Sequence, residues 1–188
     1  MSDGRIELAY AAAREAYAAH GVDTETALER LKAIPLSVHC WQGDDVGGFE
    51  RAGIDLSGSG LQVTGAFPGK PRTIEELRDD LRRAFSLIPG TRRLNLHAIY
   101  GEFGRTPVER DAIGPDQFRG WVEWARSEGL MLDFNPTCFG HPLASSGFTL
   151  SHRNPAVRRF WIDHVRACRT ISAYFGRELG GVCVHNLW

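Results

Sequence analysis

Apolar residues along the chain recur every three or four positions in some stretches and every second position in others, which separates helices from half-buried strands. Residues 4–20 place Ile6, Ala9, Tyr10, Ala13 and Tyr17 at helical spacing, and residues 24–32 predict a second short helix after Gly21. Residues 34–41 then alternate Leu36, Val38 and Cys40 against Ser37, His39 and Trp41, a strand with one apolar face and one face rich in chemistry. A glycine-rich connection over residues 42–71 follows, and its segment 61–69 predicts a small hairpin. Loops of that length usually carry function.

Thr73 reads as an N-cap, with Glu75 and Glu76 at the positive end of a helix that runs to about Leu87 and stops before Pro89 and Gly90. Residues 93–100 predict a second strand, with Leu94, Leu96 and Ala98 on one face and Asn95, His97 and Ile99 on the other. Residues 115–128 predict a helix with Phe118, Val122 and Ala125 inward and Gly129 at its end. A third strand over 130–135 sets Leu130, Leu132 and Phe134 against Met131, Asp133 and Asn135. A long helix over 155–179 carries a broad stripe that includes Phe160, Trp161, His164, Cys168, Ile171 and Phe175. Gly180 and Gly181 end it, and residues 182–188 predict a fourth strand.

Strand-then-helix repeats joined by connections too long for hairpins predict an α/β class with parallel strands, since parallel neighbours require a crossover. A doubly wound sheet buries both strand faces and reads as continuous apolar runs. Here Ser37, His39, Trp41, Asn95, His97, Asp133, Asn135, Asn186 and Trp188 fall on polar faces near strand ends, which suits the mouth of a barrel better. The expected fold is therefore a (β/α)8 TIM-barrel type, truncated to roughly the first four β/α units. A whole barrel needs ~250 residues. Residues 1–188 are thus expected to be the N-terminal half of a single barrel domain, preceded by N-terminal helices over 1–33 and incomplete after Trp188. A complete small α/β domain is the alternative, disfavoured by the stop at Trp188 without a capping helix.

The 43% hydrophobic content of the 188 residues suffices for a sizeable core, so a disordered chain is not expected. The formal net charge is -1 with both signs intermixed, which points to neither nucleic acid nor an anionic membrane as a partner. No apolar run reaches the ~20 residues of a spanning helix, and the polar, mixed-charge start is unlike a secretory signal, so a cytoplasmic location is expected. Cys40, Cys138, Cys168 and Cys183 form no CxxC and read as reduced, structural thiols, not zinc ligands.

His97, at the end of a strand on its polar face, can hydrogen-bond a hydroxyl or move a proton near neutral pH, and is the catalytic candidate. His39 has the same placement one strand earlier. Trp41, Phe139 and Trp188 can supply flat walls for the C–H face of a ligand, although core packing explains them equally well. Asp133 and Asn135 place a carboxylate and an amide inside the expected barrel. A buried carboxylate needs a partner, so Asp133 is expected to find Asn95, Asn135 or His97, or to serve a ligand. Asp44, Asp45 and Glu50 allow a hard-metal site but read more simply as a solvated turn. The segment ending Gly69-Lys70-Pro71 fails the phosphate-loop pattern.

The strings Ser37-Val-His-Cys-Trp-Gln-Gly-Asp-Asp-Val-Gly-Gly-Phe-Glu50, Arg93-Leu-Asn-Leu-His-Ala-Ile-Tyr100, Trp121-Val-Glu-Trp-Ala125, Leu132-Asp-Phe-Asn-Pro-Thr-Cys-Phe139 and Ile171-Ser-Ala-Tyr-Phe-Gly176 resemble those of L-rhamnose isomerases over nearly the whole chain. The resemblance implies a cytoplasmic, homotetrameric barrel enzyme that interconverts L-rhamnose and L-rhamnulose in rhamnose catabolism with two divalent ions, typically Mn2+. It implies a sugar contact for His97, with a part in ring opening, and a pocket wall for Trp188. His39, Trp41, Asp133, Asn135 and Phe139 complete the expected substrate-binding set. The family's acidic and histidine metal ligands are expected beyond Trp188, so no metal ligand is assigned within residues 1–188, and the isolated chain is expected to be inactive. Two other readings stay open: a non-catalytic half-barrel that needs a partner half, and another xylose-isomerase-like sugar isomerase.

Overall fold

The computed structural model describes residues 3–44, 46–50, 70–104 and 107–188, in two compact units. The expected hairpin at 61–69 lies outside the described residues, as does Asp45.

The first unit, residues 1–36 with 89–91, holds α1 (Asp3–Ala18) and α2 (Thr24–Lys32). Asp23 starts α2 by accepting from the backbone N–H groups of Glu25 and Thr26, which satisfies donors that a helix start leaves open. Tyr10 ties the helices together by donating to Glu25 at 2.8 Å. The segment is helical as its period predicts, but the stripe on α1 is not buried within the described residues: Ile6 and Tyr17 are 55% and 56% exposed.

The second unit, residues 37–88 with 92–188, contains the sheet, in the order β1 (Leu36–His39, all but its first residue), β2 (Arg92–His97) and β3 (Met131–Asn135), and the helices α3 (Ile74–Ser86), α4 (Arg119–Ser127) and α5 (Pro155–Leu179). β2 and β3 run parallel, with Asn95 opposite Asp133 and His97 opposite Asn135. Because side chains alternate along a strand, that register puts all four polar residues on one face. Leu94, Leu96, Leu132 and Phe134 take the other face, within the core formed by Leu77, Leu81 and Phe85 of α3, Trp121, Val122 and Ala125 of α4, and Cys168, Ile171 and Phe175 of α5. Phe118, Phe134 and Phe175 meet edge to face, with ring centroids 5.0 to 5.9 Å apart.

Helix ends follow their capping residues. Thr73 accepts from the Glu76 N–H at 3.2 Å, Asn154 accepts from Ala156 at 2.9 Å with Pro155 in the first turn, and Gly180 closes α5 in the left-handed region at φ 69°. The helix expected over 115–128 begins as a 3-10 turn, Pro115–Phe118, before α4 proper.

Two strand expectations are corrected. β2 ends at His97 instead of Tyr100, because the Ala98 N–H donates to the Thr137 hydroxyl at 3.0 Å and residues 98–100 wind into a 3-10 turn. Residues 182–188 form no fourth strand but a single parallel bridge, Phe134 to His185, in which the Phe134 N–H donates to the Val184 carbonyl and the Asn186 N–H to the Phe134 carbonyl. The next step of the ladder would use the Val184 N–H and the Val182 carbonyl. Side chains take both: Asp133 accepts from the Val184 N–H at 2.8 Å, and Arg93 donates to the Val182 carbonyl at 2.6 Å. An ion pair thus replaces the second rung, and backbone pairing stops there.

Candidate functional site

Three segments bring their polar side chains to the carboxyl ends of the strands. His39 ends β1, Trp41 lies in the 3-10 turn Cys40–Gln42 just after it, His97 ends β2, and Trp188 stands beyond the bridge at His185. Their rings form one cluster. Trp41 lies 4.8 Å from His97 and 4.8 Å from Trp188, centroid to centroid, while Trp188 lies 5.5 Å from His97 and 5.7 Å from His39. His39 Nδ1 and His97 Nε2 are 3.4 Å apart. His97 is fully buried and Trp188 is 53% exposed, so the indole is the outer wall of the cluster and the imidazole its floor.

Burial, with His39 beside it, pushes the His97 pKa down to about 3, and burial lowers that of His39 against the pull of Asp133. His97 is consequently a neutral imidazole at neutral pH, able to accept at one nitrogen and donate at the other. This corrects the expectation of a histidine titrating near neutrality: among the described residues no carboxylate touches the ring to offset the lost hydration of its charged form.

Both amides on the polar face are buried, and each leaves an atom without a partner among the described residues: Asn95 Oδ1 and Asn135 Nδ2. His97 Nδ1 and Trp41 Nε1 share that condition. Buried polar atoms normally find partners, so four orphans on one face mark a place built to meet a polar ligand or ordered water.

Asp133 is differently engaged. Arg93 donates to both of its oxygens, at 2.9 and 2.5 Å, Ser37 donates at 2.7 Å and the Val184 N–H at 2.8 Å. Desolvation raises its pKa, but the hydrogen bonds from Arg93, Ser37 and Val184 outweigh it and hold the carboxyl below the ordinary value. The partner of Asp133 is therefore Arg93, not Asn95, Asn135 or His97, and a ligand hydroxyl would have to displace one of four donors to reach it. Phe139 is half-buried on the loop after β3, where its carbonyl accepts from Arg110; its ring makes none of the contacts that join His39, Trp41, His97 and Trp188.

Sequence patterns gave no hint of the residue that shapes this loop. Arg110 is 1% exposed, and its five N–H donors are all used: two on Glu50 at 2.9 and 3.0 Å, and three on the carbonyls of Thr137, Phe139 and Gly140. His164 of α5 adds two contacts, Nδ1 to the Arg110 carbonyl at 2.6 Å and Nε2 to the Pro136 carbonyl at 2.5 Å. Between these clamps Thr137 is held at φ 57°, a conformation that costs a non-glycine residue roughly 1–3 kcal/mol.

The turn after β1 is structural, and neither Asp44 nor Glu50 is solvated as a simple turn reading expects. Asp44 is 3% exposed, accepts from the Tyr100 hydroxyl and from the Gly48 N–H, and its pKa is raised by burial. Gly48 has φ 64°, and a Cβ there would stand 2.7 Å from Ile99 Cγ1 and 2.8 Å from the Ile99 carbonyl oxygen. Gly48→Ala is expected to lower stability by about 1–3 kcal/mol in urea melts, through strain and overpacking together; an unchanged midpoint would refute the close approach.

Acid should weaken the fold in two windows. The strand-end histidines with lowered pKa values, His39 and His97, and His185 are neutral when folded, so below about pH 6.5 the unfolded chain binds more protons and stability falls as the pH drops. His97 contributes to that slope, at most about 1.4 kcal/mol per pH unit, down to its own pKa of about 3. Asp133 acts lower: its stabilisation is complete above the ordinary carboxylate value and is lost as the pH falls through its depressed one. Melts from pH 7 to 4 should show a shallower decline in His97→Leu than in the original chain, and equal slopes would contradict the buried neutral imidazole.

A parallel β-pair packed on helices, with imidazole, indole and amide groups at the carboxyl ends of its strands, is the arrangement of α/β enzymes that hold small molecules at those ends. The model of one such enzyme family, described as L-rhamnose isomerase (RhaA), matches residues 4–188. The L-rhamnose isomerase of Pectobacterium carotovorum subsp. carotovorum is 60% identical over 183 residues, covering 97% of this chain and 43% of the relative. Those of Enterobacter sp. (strain 638) and Escherichia coli O139:H28 are 56% and 55% identical over 184 residues, covering 98% of this chain and 43% of each relative. The chain belongs to the L-rhamnose isomerase family. It spans less than half the length of the relatives it matches. Among the described residues no helix is long and apolar enough to cross a membrane.

Proposed function

We propose that this chain supplies the N-terminal part of an L-rhamnose isomerase, a (β/α) barrel enzyme of the cytoplasm, homotetrameric in its complete form, that interconverts L-rhamnose and L-rhamnulose in rhamnose catabolism. The observation that carries this reading is the convergence of His39, Trp41, His97 and Trp188 on one cluster at the strand ends, with unpartnered buried polar atoms beside it. A layer of helices behind Leu94, Leu96, Leu132 and Phe134, with the polar face opposite, supports a barrel over a doubly wound sheet.

In this reading the exposed Trp188 offers an indole face to the C–H side of the sugar, with Trp41 behind it. His97, neutral and buried, hydrogen-bonds a ring or hydroxyl oxygen and assists ring opening: one nitrogen takes the proton of the anomeric hydroxyl while the other gives its proton to the ring oxygen, so the bond from C1 to the ring oxygen breaks, the C1 carbonyl forms and the imidazole stays neutral. His39 supports it across the 3.4 Å contact.

Mn2+ is the cofactor of the proposed reaction, where it would polarise the sugar oxygens as a Lewis acid. The described residues do not fit a cage for it: no three His, Cys, Asp or Glu side chains among them converge. Asp44 is committed to Tyr100 and Gly48, and Asp133 to Arg93, so the ligands of the proposed ion belong to the part of the enzyme outside these residues.

The test joins the chain in frame to the part of the Pectobacterium relative that it does not cover. L-rhamnulose formation from L-rhamnose with Mn2+ is expected from the joined protein and not from the 188-residue chain alone. A folded joined protein without turnover would overturn the proposal.

A further inference from the structure

We infer that Thr137 is a positioning residue for His97: its buried hydroxyl takes the backbone N–H that follows His97 and so sets the direction in which the imidazole leaves the end of β2. The functional meaning rests on the proposed role of His97, while the geometry stands on contacts of its own.

Little that is polar orients the His97 ring itself. Its Nδ1 has no partner among the described residues, and its Nε2 meets His39 Nδ1 at 3.4 Å, beyond the usual range of a strong hydrogen bond. Its other ring neighbours are Trp41, Tyr100 and Trp188, and Trp188 is half exposed on a segment joined to β3 by a single backbone bridge. The ring therefore takes its direction from the backbone. His97 is the last extended residue of β2, at φ -110° and ψ 154°, and the 3-10 turn begins at Ala98. The strand ladder holds the chain before His97, and a grip on the Ala98 N–H holds the planar peptide after it, which fixes ψ of His97.

That grip is the Thr137 hydroxyl, which accepts from the Ala98 N–H at 3.0 Å and donates to the Asn135 carbonyl at 3.4 Å. It joins the ends of β2 and β3 just past the pair His97 and Asn135. Thr137 is 0% exposed and is itself fixed on both sides, because its N–H donates to Asn135 Oδ1 at 2.7 Å and its carbonyl accepts from Arg110 at 2.6 Å.

The backbone of Thr137 shows what its side chain is for. A φ of 57° is an outlier for a β-branched residue, and glycine would meet it without strain. Glycine would also keep the bonds to Asn135 Oδ1 and Arg110, since both use the Thr137 backbone. It could not supply the acceptor for Ala98. A strained residue whose hydroxyl grips the peptide leaving the candidate proton-handling residue is strain placed where it orients a functional group.

Three variants of the joined protein separate placement from packing. Thr137→Val keeps the shape and removes the hydroxyl, Thr137→Gly removes it while relieving the strain, and Thr137→Ser keeps it. In the valine and glycine variants kcat on L-rhamnose should fall about 10- to 100-fold with KM changed by less than about threefold, the pattern of a group misplaced for a chemical step, and serine should restore kcat to within about twofold. Two-bond 1H–15N spectra of the 15N-labelled chain give a readout independent of turnover: the His97 ring shifts should move in the valine and glycine variants and return in the serine variant. Ring shifts that stay put in both overturn the inference, as does a serine variant as slow as the valine one, or an unchanged kcat in a folded valine or glycine variant when His97→Leu is slow. Full turnover in His97→Leu instead overturns the catalytic reading of His97, and the ring shifts alone then decide its placement by Thr137.

Discussion

Arg110→Met should cost the second unit about 3–5 kcal/mol, the penalty typical of breaking a buried ion pair from one side. Glu50 would keep a charge at 7% side-chain exposure with its cation gone, and the carbonyls of Thr137, Phe139 and Gly140 would lose their donors together. The loop after β3 would then lack the clamp that holds Thr137 at positive φ. Urea unfolding measures the loss. The double variant Arg110→Met with Glu50→Leu should recover part of it, because it removes the stranded charge while leaving the carbonyls unpaired. A single-variant cost under about 1 kcal/mol would mean that the ion pair lies in a far more hydrated place than its burial implies.

The second large effect falls on chemistry. In the joined protein His97→Leu should lower kcat by about 10²–10⁴-fold, the contribution usual for a positioned group that handles a proton. Leucine keeps an apolar side chain in the site of a fully buried ring and takes away both nitrogens, one of which already lacks a partner among the described residues. Stability should hold or rise slightly near neutral pH, so a fall in turnover would not be a fall in folding. Equal kcat in the variant would remove His97 from the reaction.

Much of this was legible in the sequence, and the rest was hidden for identifiable reasons. The two-residue period in Leu94, Leu96 against Asn95, His97, and in Leu132, Phe134 against Asp133, Asn135, placed the polar face correctly, because a half-buried strand can sort its side chains in no other way. Thr73 and Gly180 marked helix ends because capping depends on the residue itself. The fourth strand failed since its period says nothing of who takes its backbone groups: Arg93 and Asp133 reach them from across the sheet. Arg110 was invisible for a similar reason. It comes from a loop, and its five acceptors are the two oxygens of one carboxylate and three carbonyls distant in sequence, none of which leaves a local pattern. The lowered pKa of His97 likewise depends on how deeply the ring is buried, which spacing alone does not report.

The most direct test of the proposed sugar site is a crystal structure of the joined protein with L-rhamnose bound. The sugar is expected with its C–H face on the Trp188 indole and one of its oxygens within hydrogen-bond distance of His97. A sugar seated elsewhere, with Trp188 and His97 still closed on each other, would contradict the account.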